Sequence, residues 1–172
     1  MIIPGPQSSD LADQDFKSVD TIGRVRHEFG SSFISFLATD REIEDGGHNR
    51  VFGPDFRWAP TDDDTITGQL LYSWSQTPER PDLADEWAGR KLSGHAGVLW
   101  WSHTTRTWDW FAGYWDFGDE FRADNGFIPQ VGYRETWLEG GHTWRPTKGL
   151  FRRLRTFLIA DYQAQQDGAL IY

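Results

Sequence analysis

The clearest pattern in this chain is an alternation of apolar and polar residues with a period of two. Between residues 65 and 75, apolar or aromatic side chains fall on Ile66, Leu70 and Trp74, and mostly small polar residues lie between them. Because successive side chains of a β-strand point to opposite faces, this segment predicts a strand between an apolar and a more polar environment. The pattern recurs along the chain, with turn residues between its repeats.

The alternation and its breaks predict eight strands. They cover residues 19–29, 31–41, 48–60, 64–77, 87–103, 106–118, 127–146 and 153–165. Glycine, serine and aspartate mark the breaks at 30–32, 45–47, 61–64 and 166–168, and longer loops are predicted over 78–86 and 117–126. We therefore predict an all-β domain over residues 19–172, an antiparallel up-and-down meander preceded by a leader or loop over residues 1–18.

Several of these strands are longer than the roughly 5–6 residues that are usual in soluble proteins. A tilted strand that crosses a bilayer needs about 9–11 residues, and about eight strands are enough for a small barrel. The meander is therefore predicted to be a small closed barrel or part of a larger transmembrane β-barrel. The alternative from a different class is a soluble β-barrel or sandwich that binds a carbohydrate or a lipid in its interior.

The aromatic content favours the membrane interpretation. The 172-residue chain contains ten tryptophans and twelve phenylalanines, more than a small soluble core needs. Aromatic girdles at the two interfaces of a membrane would use them. The residues predicted to lie in such girdles are Trp74, Trp100, Trp108 and Trp110. Stacking on sugar rings and filling of a soluble interior are the two other interpretations of the tryptophans.

Charge and cysteine content exclude several classes of function. The net charge of −9 argues against a nucleic acid as the partner, because phosphate binding needs a basic face. The chain has no cysteine, which excludes disulfides, thiolate metal sites and cysteine nucleophiles. A mean hydropathy of −0.62, without a long apolar run, argues against membrane-spanning helices. No secretory signal is recognisable after Met1, and we expect the chain to be part of a longer precursor.

Charged residues also fall within the predicted strands, at Asp55, Arg57, Arg134 and Glu135. Asp55 and Arg57 share one face of their strand, opposite Phe56. Charges that face hydrocarbon are costly near the middle of a bilayer, so these four side chains are predicted to face the lumen of a barrel. Structural ion pairing is their favoured role there, and a polar path for a solute or ligand is the alternative.

The richest polar cluster lies in the predicted loop after the sixth strand. Its carboxylates are Asp116, Asp119, Glu120 and Asp124. Oxygen ligands from one loop suit calcium and paired carboxylates suit a glycosidase, but the order lacks the ligand spacing of an EF-hand. Carboxylates at strand ends are also common in solvated turns. We therefore expect no cofactor, with calcium as the alternative. Among the candidate functions, a hydrolase that uses residues 116–124 is the least favoured.

Two separated stretches carry a more specific pattern. The first contains Gly23-Arg24-Val25-Arg26, Leu37-Ala38-Thr39-Asp40-Arg41 and Asn49-Arg50-Val51-Phe52-Gly53-Pro54-Asp55-Phe56. The second contains Tyr114-Trp115-Asp116-Phe117-Gly118-Asp119-Glu120-Phe121, Asn125-Gly126-Phe127-Ile128-Pro129 and Gly132-Tyr133-Arg134. With this spacing, residues 19–160 resemble the C-terminal barrel region of an uncharacterised bacterial family. Its full-length members carry an N-terminal family-9-type carbohydrate-binding module and a hydrolase label.

The matched motif residues are Asn49, Arg50, Gly53, Asp55, Gly118, Asp119, Phe121, Gly126, Phe127 and Pro129. The resemblance implies a β-barrel of the bacterial outer membrane in a Gram-negative cell, with the lipid bilayer as partner and a saccharide as a candidate ligand. It also implies that this chain is a piece of a longer barrel and that the carbohydrate-binding module lies outside it. The chain is then a membrane anchor or a solute- or saccharide-related pore, and any glycoside hydrolase-like activity would reside mainly outside this segment.

Overall fold

The computed structural model describes residues 17–44, 46–81, 87–126 and 128–171. They form eight strands: β1 (Ser18–Phe29), β2 (Ser32–Ile43), β3 (Gly47–Trp58), β4 (Asp64–Gln76), β5 (Lys91–Thr104), β6 (Trp108–Phe117), β7 (Tyr133–Trp144) and β8 (Leu154–Gln165). All eight predicted strands are confirmed, most of them to within a few residues. The largest difference is at β7, which begins at Tyr133 because residues 128–132 belong to a loop. The predicted leader lies outside the described residues up to residue 16, and Ser18 already belongs to β1.

The eight strands form one antiparallel sheet in sequence order, from β1 at one edge to β8 at the other. Among the described strands, each contacts its neighbours in sequence and no other strand. The predicted up-and-down meander is confirmed as a single sheet, but these strands do not close into the small barrel that was one of its two predicted forms. No helix in the described part of the chain is long and apolar enough to cross a membrane.

The register of the strands places their side chains on two chemically different faces. One face, called here the apolar face, exposes large hydrophobic side chains from all eight strands. They include Val25, Phe36, Phe52, Leu70, Leu99, Tyr114, Leu138 and Leu158. The opposite face, called the polar face, carries Arg24, Ser35, Asn49, Asp55, Ser73, Asp109, Glu139, Arg155 and Gln163. The alternation that predicted β4 is therefore part of a separation of two faces, to which the apolar side chains of Val98, Trp100 and Phe111 on the polar face are exceptions.

The connections between strands lie at two ends of the sheet. At the turn end, residues 30–31, 59–63, 105–107 and 145–153 join consecutive strands. The first of these is a two-residue turn in which Gly30 has a φ of +59°, a conformation that favours glycine. At the loop end, the connections are residues 44–46, 77–90 and 118–132. The longest connection, called here loop 118–132, is the one that bears on the candidate site.

The buried core is small and lies between loop 118–132 and the polar face. Val51 and Ala96 of the sheet pack against Phe121 and Val131 of the loop. Partly buried neighbours of this core are Leu71, Phe117, Ala123 and Ile128. The largest fully buried side chains among the described residues are Phe121, Asn49, Ser73 and Ser75. The most closely packed part of the molecule is thus the contact between one loop and three strands.

Candidate functional site

Charge is confined to the two ends of the apolar face. The charged residues on this face of the strands are Asp40, Glu42, Arg50, Asp64, Lys91, Asp116 and Arg134, and each lies within three residues of a strand end. Along β4, the apolar positions between the polar ends run from Ile66 to Trp74. At about 3.3 Å per residue this stripe is about 26 Å long, and a tilt of about 40° projects it to about 20 Å. The apolar face is therefore a hydrophobic band between two polar rims.

An aromatic cluster marks the boundary of the band at the turn end. Trp101 and Trp110 pack edge to face with ring centroids 5.3 Å apart, and His103 stacks on Trp110 at 3.7 Å. Asp64 Oδ1 accepts a hydrogen bond of 2.9 Å from Trp101 Nε1 and lies 2.8 Å from His103 Nδ1. The cluster continues across β6 and β7 with Trp108, His142 and Trp144. Rings with an apolar body and a hydrogen-bonded polar edge suit a boundary between hydrocarbon and water.

The boundary at the loop end consists of Trp74 and, beyond it, ion pairs. Arg50 lies beside Trp74 across the β3–β4 ladder, and its Nε is 3.3 Å from Asp40 Oδ1. The same guanidinium also pairs with Glu42. A second rim cluster contains Asp116, His95 and Arg134. The arginines and carboxylates at this end of the apolar face therefore pair with one another.

Three of the four tryptophans that were predicted to be interfacial lie on the apolar face. Trp74 and Trp108 are exposed there, and Trp110 belongs to the turn-end cluster. Trp100 lies on the polar face instead, because the ladder pairs it with Thr67 and gives the apolar position to Trp101. Of two adjacent tryptophans in a strand, only one can face each side, so Trp100 does not share a face with the other three.

An arginine-centred cluster occupies the polar face near β1. Arg24 donates to Ser35 Oγ from Nε at 3.2 Å and from a terminal nitrogen at 3.0 Å, and it forms an ion pair with Asp55. The Asp55 side chain is buried, which strengthens the need for a cationic partner. The structure places Arg57 on the same face of β3. The predicted pair Asp55 and Arg57 is thus brought to the polar face, where Asp55 takes its partner from β1.

A second cluster lies on the polar face near β8. Arg155 donates to both carboxylate oxygens of Asp109 and, at 2.8 Å, to Glu139. Its guanidinium lies over Gly141, where a Cβ would come within 2.7 Å of it. One arginine therefore links β6, β7 and β8. This cluster was not predicted, because its members are 16 and 46 residues apart in sequence.

The other predicted lumen pair is divided between the two faces. Glu135 lies on the polar face, whereas Arg134 lies at the loop-end rim of the apolar face, where its Nε is 3.4 Å from Asp116. Adjacent residues of a strand point to opposite sides, so the prediction that Arg134 and Glu135 face the same side of the wall is wrong.

Between the two arginine clusters, the polar faces of β4 and β5 carry no charge. Their side chains are Thr65, Thr67, Gln69, Leu71, Ser73 and Ser75 on β4, and Leu92, Ala96, Val98, Trp100, Ser102 and Thr104 on β5. Loop 118–132 folds back over the loop-end part of this uncharged strip. Phe121 lies directly against Gly94, where a Cβ would collide with the backbone of Phe121. The absence of a side chain at Gly94 is what allows the loop to approach the sheet so closely.

Three hydrogen bonds hold the tip of loop 118–132 to the sheet, and a fourth orients Asn49 for two of them. The fully buried Asn49 donates from Nδ2 to Ser75 Oγ at 2.6 Å and to the carbonyl of Arg122 at 2.9 Å. Asn49 Oδ1 accepts from the N–H of Asp124 at 2.9 Å. Ser73 Oγ accepts from the N–H of Arg122 at 3.1 Å. Both polar atoms of the Asn49 amide are thus directed at the loop or at its anchoring serine.

The contact brings the two motif stretches of the sequence together. Asn49 belongs to the first stretch, and the loop contains Gly118, Asp119, Phe121, Gly126 and Pro129 of the second. Two other motif residues, Arg50 and Asp55, form the ion pairs described above, and Gly53 lies so close to Leu70 that a Cβ would collide with its carbonyl. Phe127 lies outside the described residues. Ser73, Ser75 and Gly94 were missed by the sequence analysis; their small size within bulky strands is the only feature that could have indicated them.

The carboxylates of the acidic cluster do not converge. Asp116 accepts from Gln166 Nε2 at 2.6 Å and faces His95 on the apolar side of the sheet. Asp124 pairs with Arg122 at 2.6 Å on the opposite side. Within the described ranges, which include Asp119 and Glu120, no group of three or more acidic or histidine residues is placed to hold a metal ion. Asp116 and Asp124, two of the four predicted calcium ligands, therefore lie on opposite sides of the sheet.

Comparison of the chain with protein-family models, with curated proteins and with solved structures finds no match. The family resemblance of residues 19–160 accordingly stays a prediction. What the protein does is inferred below from the two faces of the sheet and from loop 118–132.

Proposed function

We propose that this chain forms part of the wall of a bacterial outer-membrane β-barrel, with its apolar face toward lipid and its polar face toward the lumen. The observation that carries this proposal is the distribution of charge on the apolar face. Every charged strand residue on that face lies near a strand end, whereas the polar face carries charge along its length. A sheet with water on both faces would gain nothing by excluding charge from the middle of one of them.

The energetics of burial support the same orientation. Leu70, near the middle of the band, is 58% exposed, and Leu158 is 83% exposed. Monomeric soluble proteins rarely expose continuous apolar patches above roughly 300–600 Å². Hydrocarbon would cover this face at a gain of about 25 cal/mol for each Å² removed from water. The polar face, with its paired charges, suits a water-filled lumen.

The edges of the sheet support a wall segment rather than a complete barrel. β1 and β8 each pair with a strand on one side only, although both keep the separation of apolar and polar faces. Beyond β8 the chain reverses, and Leu170 makes an antiparallel bridge to Ala164. This reversal has the form of a further hairpin. The completed barrel would serve as a membrane anchor or as a pore for a solute, with a saccharide favoured by the family resemblance alone.

Two neighbouring residues in the middle of β4 provide a matched test. The chain is exported behind a bacterial signal sequence, and its resistance to carbonate extraction from the outer-membrane fraction is measured. Leu70→Arg places a cation on the apolar face and is expected to prevent stable insertion, since Arg near the bilayer midplane costs about 2–4 kcal/mol. Gln69→Arg places the same cation on the polar face and is expected to be tolerated.

A wild-type chain that is soluble, folded and monomeric would overturn the membrane proposal. Equal effects of the two arginines would also contradict it, because the two faces would then meet the same environment. A soluble outcome would favour a protein that binds a carbohydrate or a lipid on this sheet, which glycan and lipid binding screens would examine.

A further inference from the structure

We infer that loop 118–132 is a fixed constriction of the lumen at the loop end, and that Asn49 and Gly94 are the residues that keep it there. The inference rests on the proposed function, since it takes the polar face as the lumen wall. It goes beyond that function by naming the element that sets the size of the solute able to pass.

The path of the loop supports a constriction. Loop 118–132 joins β6 to β7, yet its tip is hydrogen bonded to Asn49 on β3, three strands away from β6. At about 4.8 Å between strands, the loop covers about 14 Å of the sheet's width. A loop that crosses this much of the wall on the lumen side occupies part of the cross-section through which a solute would move.

The attachment of the loop at both its base and its tip makes it a fixed element. At the base, the N–H of Gly118 donates to the His95 carbonyl and the N–H of Gly132 donates to the Phe117 carbonyl, both at 2.9 Å. At the tip, the buried Asn49 makes two hydrogen bonds to the loop backbone. Phe121, 1% exposed, fills the space between these attachments. Buried hydrogen bonds and apolar packing together leave the loop no free segment between Gly118 and Asp124.

The residues under the loop indicate that the sheet is built to receive it. Ser73 and Ser75 point to the polar face of β4 with exposures of 0% and 1%, and their hydroxyls bond to the loop and to Asn49. At Gly94 any side chain would displace the backbone of Phe121. Without the loop, the Asn49 amide and these hydroxyls would hydrogen bond to water. Nothing would then approach residue 94 closely, and a glycine would not be required there.

The native absence of cysteine allows a direct test of loop position. Val51→Cys places a single thiol beneath the loop, in a side chain smaller than the valine it replaces and at a position 3% exposed in the structure. The rate at which this thiol reacts with a water-soluble maleimide reports whether the loop covers it. Asn49→Ala in the Val51→Cys background is expected to raise the rate by at least about tenfold, because the variant loses both hydrogen bonds from Asn49 to the loop and the loss of one such bond already corresponds to about tenfold.

Two alanine variants on β5 provide the matched pair. Gly94→Ala is expected to push the loop off the sheet and raise the labelling rate of the thiol in the Val51→Cys background. Gly97→Ala, on the same strand, is expected to leave that rate unchanged, because a Cβ there meets Leu70 Cδ1 at an ordinary 3.7 Å. The same substitutions, made in the complete barrel that contains this chain and inserted in lipid vesicles, are assayed for permeability to neutral sugars of increasing size. Gly94→Ala and Asn49→Ala are expected to admit larger sugars than the wild-type barrel.

The outcomes separate the inference from the function on which it rests. If the wild-type barrel conducts sugars and the variants label faster but pass sugars of the same size, the constriction is overturned. The barrel proposal then stays intact. Unchanged labelling in both variants shows that Asn49 and Gly94 do not hold the loop, which also overturns it. Failure of the wild type to insert removes the barrel proposal and the constriction together.

Discussion

Arg155 shows how a single side chain fixes the arrangement of three strands. Its guanidinium reaches Asp109 on β6 and Glu139 on β7 and lies over the bare backbone of Gly141. Arginine suits this position because its planar group donates in two directions at once. Both carboxylates would lose the cation that joins them if the arginine were removed.

We expect Arg155→Met to lower the free energy of unfolding, because Asp109 and Glu139 lose the cation that joins them, although water screens part of the loss. The measurement is urea unfolding of the membrane-inserted protein, followed by tryptophan fluorescence. Arg152→Met is the control, since Arg152 is exposed and precedes β8. An equal loss of unfolding free energy in the control would show that stability depends on the positive charge of this segment and not on the contacts of Arg155.

The sequence predicts the chemistry of such residues better than their partners. The position of Asp55 and Arg57 on one face follows from their spacing, because strand side chains alternate. The link from Asp55 to Arg24 depends on how β1, β2 and β3 align, which no local pattern specifies. Trp100 illustrates the same limit. The sequence does not show which of the adjacent residues Trp100 and Trp101 lies on the apolar face, and only the pairing with β4 decides it.

At the scale of elements, the hairpin of β1 and β2 depends on its two-residue turn. Gly30 has a φ of +59°, and nothing lies within 4 Å of the position that a Cβ would take. The cost of a side chain there is therefore conformational and not steric. Glycine adopts this left-handed backbone freely, asparagine tolerates it, and a β-branched residue does so poorly.

We expect Gly30→Val to destabilise the hairpin by about 1–2 kcal/mol, and Gly30→Asn to cost distinctly less. The measurement is the amide hydrogen exchange of β1 and β2, which reports local opening of this edge hairpin. Equal exchange in the two variants would mean that the turn does not determine the stability of the hairpin.

All eight strands could be predicted because each keeps a period of two over many residues. The exception is the start of β7. Ile128 and Val131 are apolar and resemble a continuation of the strand, but they are apolar because they pack from loop 118–132 into the core between the loop and the sheet. The serines that anchor the loop could not be identified, since small polar residues in a strand have many uses.

At the scale of the whole molecule, the two edges of the sheet determine whether the chain is complete as a barrel wall. β1 and β8 have half of their backbone groups directed away from the sheet, apart from the short bridge at Ala164. Exposed strand edges readily pair with further strands. The proposed barrel therefore has to add strands at both edges.

We expect the amides of β1 to exchange hydrogen at least about tenfold faster than those of β4 and β5 when the chain is studied alone in detergent micelles. The cause is the missing neighbour of β1, whereas β4 and β5 are paired on both sides. Hydrogen exchange followed by mass spectrometry measures this difference. Protection of β1 equal to that of β4 would show that the chain closes on itself or pairs with a second copy.

The strict order of the meander has a consequence for how such a protein can change over generations. Because backbone pairing joins each strand to its sequence neighbours, a hairpin near an edge can be duplicated or lost without altering the register of the others. Loop 118–132 restricts this freedom, since it ties the β6–β7 connection to β3. Strands β3 to β7 must therefore be inherited as a block of fixed length, whereas the number of hairpins outside that block is free to vary between lineages.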